Sequence, residues 1–336
     1  MAATKTYLTG IQTSGMPHLG NYIGAIQPAL AAVESNETLY FLADYHSLNS
    51  VKDPAKLRED IRSVAATWLA CGLDPQRTVL YRQSSIPEVF ELATILASVT
   101  AKGLMNRAHA YKAARDRNEA AGSTELDAGI NMGLFNYPIL MAADILVMEA
   151  DVVPVGRDQT QHIEYTADIA EAFNRLYGDS YSFPIPEGSY PEGQGSVLPG
   201  VDGRKMSKSY DNHIPLFMPE NKLKKLIRRI PTDSTPVEDP KDPDTSVPFQ
   251  LLTHFAEPER TDAIRKRLEA GGMGWGELKN ELFEVLNARF GGMRERYDAL
   301  MEPGSELDDV LAAGAVRARE RARATLAKVR AAVGID

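Results

Sequence analysis

Three short stretches contain residues whose type and spacing suit chemistry on phosphate or recognition of a polar group. In TGIQTSGMPHLGNYIG (9–24), His18 and Asn21 stand three residues apart at the start of a helical pattern. Pro17 stiffens the approach and Gly20 lets the backbone come close to a ligand. Such a helix start aims amides and a positive dipole at an anion, and the imidazole and carboxamide can reach the same phosphate. The same residues would also serve as a glycine-rich turn with a capping asparagine. In GRKMSKSY (203–210), Lys205 and Lys208 alternate with Ser207 and Ser209 around Met206. A loop of this kind can close over a triphosphate and bring ammonium groups to the charge that develops on a leaving pyrophosphate. Taken alone, it would equally be an exposed basic loop or a phosphorylation site. In MAADIL (141–146), Asp144 interrupts an apolar helical run, and a buried carboxylate is costly without a donor.

The glycines exclude the two commonest nucleotide loops. Gly10 and Gly15 have Walker spacing, but Met16-Pro17 stands where Lys-Ser/Thr is required. Gly20 and Gly24 do not complete the dinucleotide fingerprint either. If the first loop binds a nucleotide, it does so through other residues.

These stretches must be held by a scaffold. Apolar, β-rich runs KTYL (5–8), TLYFLAD (38–44), TVLYRQ (78–83) and DVVPVG (151–156) read as buried strands. Helical patterns occupy 20–34, 54–71, 87–99, 130–149 and 159–177. Alternation of this kind predicts βαβ units and a parallel sheet, with the loop at 10–20 at the carboxyl end of the first strand. From Gly178 to Pro219 the chain is rich in Gly, Pro, Ser and Asp, and beyond it the pattern is mainly helical, broken by TDSTPVEDPKDPDTSVP (232–248). The 336 residues are enough for two domains, and the 43% hydrophobic, 25% charged composition is that of a globular protein. The single Cys71 leaves no disulfide framework and no cysteine-based metal site. The first residues are too few and too polar for a signal peptide, and YPILMAADILVM (137–148) is too short to span a bilayer. A cytoplasmic protein is expected.

The histidine-containing H-L-G-N after the first strand and the K-M-S-K-S far downstream resemble the two signatures of class I aminoacyl-tRNA synthetases. T-G-I-Q-x-S-G at the start, MAADIL, and VPVGRDQTQHIE (153–164) narrow the resemblance to the bacterial-type tryptophanyl-tRNA synthetase family. It runs through residues 8–177, resumes at 203–211 and continues through RRIPTDS (228–234). The resemblance implies a Rossmann-like parallel-sheet catalytic domain over 1–190, with a dimerisation insert at about 84–130. It implies the mobile loop and a helical anticodon-binding domain over 191–310, then a basic C-terminal helix over 311–336. The implied activity is ATP-dependent formation of tryptophanyl-adenylate and transfer to the 3′ end of tRNA(Trp), by a homodimer. Mg²⁺ would be bound mainly through the phosphates, with no dedicated protein metal site.

Residue by residue, the resemblance assigns His18, Asn21, Lys205 and Lys208 to catalysis. It assigns ATP contacts to Gln12, Thr13, Ser14, Gly20 and Asn21, to Gly156, Arg157, Asp158 and Val197, and to Lys205, Met206, Ser207, Lys208 and Ser209. Tyr137 and Gln159 match the residues that hold the amino group of tryptophan. Gly10, Gln12, His46, Met141, Val153 and Val155 match the walls of its pocket. Asp144 matches the residue that reads the indole, and the physics agrees: indole is an apolar body with one N–H donor. A pair with an arginine is the other reading of Asp144. The loop after Tyr111 departs from the family's lysine-rich form, leaving Lys112 and Arg115 as candidates for a further phosphate contact.

Tyrosine activation, a regulatory binding protein with lost catalysis, and a small-molecule nucleotidylyltransferase are the competing functions. Intact signatures speak against the second, and K-M-S-K-S with a helical second domain against the third. The net charge of −9 argues mildly against a dedicated nucleic-acid binder. Two segments are nevertheless basic: KLKKLIRRI (222–230) with five basic side chains, and VRARERARATLAKVR (316–330) with six against one acid. Both are expected outside the α/β half, facing RNA, with a solvated helix face as the bland reading of each.

Overall fold

The computed structural model describes residues 5–33, 36–156, 159–190 and 198–335. Five parallel strands form one sheet in the order β3-β2-β1-β4-β5: β1 (Thr6–Ile11), β2 (Glu37–Leu42), β3 (Thr78–Arg82), β4 (Val152–Pro154) and β5 (Glu187–Ser189). A parallel sheet covered on both faces requires strands apolar on both faces. Accordingly Leu39 and Phe41 of β2 join Leu8, Val79 and Tyr81 in one core, while Tyr40 and Leu42 join Ile11 and Leu80 in the other. The strand order changes direction between β1 and β4, and the crevice at the carboxyl ends there is where such sheets bind ligands.

The helices follow the sequence pattern with instructive departures. After the first loop come α1 (Leu19–Asn21), a π-helical turn at Tyr22–Ile26 and α2 (Gln27–Ala32), rather than one regular helix. Pro28, which has no N–H to continue the ladder, sits in the first turn of α2. Next are α3 (Asp44–Ser47), α4 (Pro54–Ala70), α5 (Glu88–Val99), α6 (Lys102–Met105), α7 (His109–Ala120), α8 (Met132–Val147) and α9 (Thr160–Tyr177). Strand β1 runs through Ile11, so Gly10 belongs to the strand and not to the loop. A Cβ on Gly10 would lie 2.8 Å from the Phe41 ring, so the residue must be small.

From Glu220 onwards the described chain is mainly helical: α10 (Glu220–Arg228), α11 (Val247–Thr253), α12 (Pro258–Ala270), α13 (Trp275–Met301) and α14 (Leu307–Val333). Its apolar interior, from Phe217 to Phe249 and Phe290, is continuous with Tyr40 and Trp68 against the sheet. The Ser63 and Tyr297 hydroxyls, 2.9 Å apart, join α4 to α13. Among the described residues, no helix is long and apolar enough to cross a membrane.

The final helix corrects an expectation. α14 does not lie outside the α/β half: Ala318, Ala322, Leu326 and Val329 are buried in the core that contains Leu8 and Phe41. Its six basic residues all bind groups of that half. Arg319 and Arg323 hold Glu88 at 2.9 and 3.1 Å, Arg330 holds Glu91 at 3.0 Å, and Lys328 holds Glu149 at 3.0 Å. Arg321 reaches Glu37 at 3.0 Å and the Met148 carbonyl at 2.7 Å, and Arg317 reaches the Pro75 carbonyl at 3.1 Å. The basic run is therefore a clamp onto acidic and carbonyl groups, which charge counting cannot distinguish from an RNA-facing surface.

Gly314 sets how closely α14 approaches β3, because a Cβ there would fall 1.8 Å from the Leu80 carbonyl oxygen. Gly314→Ala is expected to lift the helix and lower stability by about 1–3 kcal/mol, as overpacking does. Thermal melting checks this, and an unchanged midpoint would contradict it.

Candidate active site

The first loop leaves β1 at Gln12 and is shaped from within. Thr13 is fully buried and its hydroxyl lies 2.7 Å from that of Ser47, so its main chain is what it can offer to a ligand. Gln12 and Ser14 are exposed beside it. Gly15 adopts φ +83°, and a side chain there would be strained and would press on Asp60. His18 then caps α1: its backbone N–H donates to Asn21 Oδ1 at 3.0 Å, while its Nδ1 accepts from the Asn21 N–H at 3.3 Å. The turn-and-cap reading is therefore realised. With Nδ1 accepting, the neutral ring carries its proton on Nε2 and keeps one N–H donor for a ligand. A Cβ on Gly20 would meet this ring at 3.0 Å.

The second loop is sewn to the first through the backbone. The Leu19 N–H donates to the Ile214 carbonyl at 3.0 Å, and the Leu216 N–H to the Pro17 carbonyl at 2.9 Å. Buried Asn212 shapes this loop, accepting from the Ser207 N–H at 2.8 Å and donating to Asp202 and to the Lys205 carbonyl. Met206 is buried beneath it, and Ser207 and Ser209 pair their hydroxyls at 2.8 Å. Lys208 reaches across, donating to the carbonyls of Ser14 at 2.7 Å and Gly15 at 3.1 Å. Lys205 is exposed and does not share these contacts.

Two imidazoles and two ammonium groups thus converge at the loop junction. The rings of His18 and His213 lie 5.9 Å apart, with Lys208 near both and the Lys56–Asp60 pair on α4 behind. Burial, then His213 and Lys208, push the His18 pKa down from 6.5 to about 4. Burial also lowers Lys208, with Asp60 opposing and Lys56 adding to the shift. Sequence reasoning missed His213, Asn212, Lys56 and Asp60, since none falls in a recognisable spacing.

The third stretch lies against an apolar cluster on the face of the sheet that carries Leu8 and Phe41. Met141 on α8, Val153 on β4 and Val155 just beyond it share one cluster with Leu8 and Phe41, and Phe41 packs directly against the Gly10 backbone. Asp144, 2% exposed, accepts from Gln83 Nε2 at 2.9 Å on both oxygens and pairs with His46 Nε2 at 2.9 Å. Burial raises the Asp144 pKa, and the bonds from His46 and Gln83 oppose it. The arginine partner considered from the sequence is not the one found: the partners are an imidazole and an amide. Tyr137, two turns earlier on α8, meets His162 Nε2 at 3.2 Å, and Gln159 stands at the start of α9.

Of the remaining expectations, Gly156 lies beyond β4, whereas Arg157, Asp158 and Val197 lie outside the described residues. Arg115 is 3.5 Å from Asp127 and rests on the Tyr111 ring, while Lys112 is exposed. On α10, Leu223 and Ile227 are buried and Lys224, Lys225 and Arg228 are exposed, so this basic run does present a charged face.

The family model for class I tRNA synthetases (W and Y) matches residues 3–291. The tryptophan–tRNA ligase of Pseudomonas aeruginosa is 51% identical over 99% of this chain and 74% of its own length. That of Neisseria meningitidis serogroup A is 49% identical over 98% of each. The solved tryptophanyl-tRNA synthetase of Campylobacter jejuni, complexed with ADP and tryptophan, matches at TM-score 0.89 and 41% identity, covering 98% of this chain and 99% of that one.

The His18 environment has a measurable consequence. A folded-state pKa below 6.5 means that protonation favours the unfolded chain, so this contribution to stability is intact above pH 6.5 and is lost as pH falls towards 4. Titration of the His18 ring by NMR is expected to show a midpoint near 4, and a midpoint near 6.5 would contradict the burial argument.

Proposed function

The chain belongs to the class I tRNA synthetases of the tryptophan and tyrosine group, within it to the bacterial-type tryptophan–tRNA ligases, and from that premise we propose how its residues divide the work. The overall reaction joins L-tryptophan to ATP as tryptophanyl-adenylate, then passes the aminoacyl group to tRNA(Trp). The observation that carries the residue assignment is the buried Asp144 carboxylate, held by an imidazole and an amide against an apolar cluster.

Asp144 accepts the indole N–H, while Gly10, Met141, Val153 and Val155 enclose the rings and His46 steadies the carboxylate. Tyr137 and Gln159 hold the amino group. The substrate carboxylate attacks the α-phosphorus in line and pyrophosphate departs, so positioning and charge stabilisation supply the catalysis. Neutral His18 donates from Nε2 and Asn21 from its amide. Lys208, with Lys205 when the second loop moves in, meets the charge on the leaving group. Gln12, Ser14, the Thr13 backbone, Gly20, Met206, Ser207 and Ser209 line the phosphates. Gly156, Arg157, Asp158 and Val197 take the nucleoside side.

Mg²⁺ fits this arrangement as an ion carried by the nucleotide. Lys208, Lys56 and His18 around the first loop suit the phosphate oxygens that would carry the ion. When bound, it would neutralise phosphate charge. Residues 191–310 would bind the anticodon through the basic face of α10. Exposed Tyr45, Leu48 and Met132, adjoining the 84–130 insert, support a homodimer. The reaction takes place in the cytoplasm.

ATP–pyrophosphate exchange tried with each of the twenty amino acids should respond to tryptophan, and a response to tyrosine would overturn the pocket assignment. Lys208→Ala is expected to slow adenylate formation in single turnovers by roughly 10²-fold or more while tryptophan affinity changes little, as for a group acting in the transition state. A normal rate with weakened tryptophan binding would count against the loop. Replacing Lys224, Lys225 and Arg228 together with alanine should weaken aminoacylation and flatten its salt dependence while sparing pyrophosphate exchange. Equal loss in both assays, or in neither, would exclude α10 as an RNA contact.

A further inference from the structure

Gln83 lies at the junction of β3 and the turn that follows it, and it is fully buried. Its orientation is fixed by its neighbours. The Tyr45 backbone N–H, which can only donate, gives a hydrogen bond to Gln83 Oε1 at 3.1 Å. The Nε2 end must therefore face Asp144, and it donates to Oδ1 and Oδ2 at 2.9 Å each. Asp44 holds the frame, accepting from the Tyr45 N–H and the Ser84 N–H at 3.0 Å. We propose that Gln83 is a positioning and specificity residue of the tryptophan site, holding the Asp144 carboxylate as an oriented acceptor for the indole N–H. This rests on the assignment of Asp144 to the indole.

The donor count supports it. An ionised carboxylate offers about four lone-pair sites. Gln83 occupies one on each oxygen and His46 a third, which leaves one for an incoming donor. That last acceptor site has a defined direction because the other three are taken. A protonated Asp144 would lose this property, since it would itself donate. Burial pushes the carboxyl towards that form, and the bonds from His46 and Gln83 resist it. The charged and titratable groups facing Asp144 are His46 and Asp44 on α3 and Tyr81 on β3, with Arg321 of α14 acting on Tyr81. Gln83, being neutral, orients the carboxylate without adding a charge.

The test compares wild type, Gln83→Leu, Gln83→Glu and Asp144→Asn in tryptophan-dependent pyrophosphate exchange across pH, with melting curves on each. Gln83→Leu is expected to raise the KM for tryptophan roughly tenfold to a hundredfold, the scale of a hydrogen bond to a charged group. It should leave the KM for ATP unchanged and reduce discrimination against phenylalanine. The acidic limb of kcat/KM should move to higher pH, because loss of a donor to the charged form raises the carboxyl pKa. If Gln83→Leu does not fold, Gln83→Glu has the same shape and puts a second carboxyl against the first; it should shift the acidic limb the same way and further. Equal loss of tryptophan and ATP affinity with an unmoved pH profile would reduce Gln83 to a structural residue and overturn the proposal. Asp144→Asn separates the two claims: if it keeps full selectivity, the Asp144 assignment itself fails. If it loses selectivity while the Gln83 variants behave as wild type, the Gln83 proposal alone fails.

Discussion

A carboxylate buried among apolar side chains is the constraint around which this molecule is organised. Asp144 is 2% exposed on a helix that otherwise contributes Ile139, Ala142, Ala143, Ile145 and Leu146 to the core. Such a group unfolds a protein or changes its protonation unless donors are supplied. The donors come from two distant places, His46 after β2 and Gln83 after β3. Both positions depend on the register of the parallel sheet, and β3 in turn depends on α14, which Gly314 allows to lie against the Leu80 carbonyl. The end of the chain thus supports the pocket at its centre.

The phosphate side follows a second principle, attachment through backbone. The loops at 12–20 and 198–216 are joined at Leu19–Ile214 and Pro17–Leu216, which ties the second loop to the backbone on either side of His18. Lys208 rests on the carbonyls of Ser14 and Gly15, acceptors that a phosphate oxygen can replace. Burial first, and then the neighbouring basic groups, lower the proton affinity of His18 and Lys208.

Much of this was legible in the sequence because it is periodic or carried by motif. Both faces of β2 are apolar, which announces a covered parallel strand, and the two loops are recognisable by spacing. What escaped depends on tertiary pairing. Strand β5, with sequence EGS, has no apolar alternation to reveal it. The arginines of α14 look like an RNA-binding face until Glu88, Glu91 and Glu37 are placed opposite them. Gln83, His213 and Lys241 carry no spacing signal. Lys241 is buried inside the proline-rich segment, where its ammonium donates to the Asp239 carbonyl at 2.9 Å and gives that segment an internal anchor.

The central claim is that one oriented acceptor beside an apolar cluster selects the amino acid. A crystal structure with L-tryptophan bound tests it most directly. The account predicts the indole nitrogen within about 2.7–3.2 Å of an Asp144 carboxylate oxygen, with the Gln83 and His46 bonds retained. An indole nitrogen facing solvent or another residue, with Asp144 bonded to Gln83 and His46 alone, would contradict it.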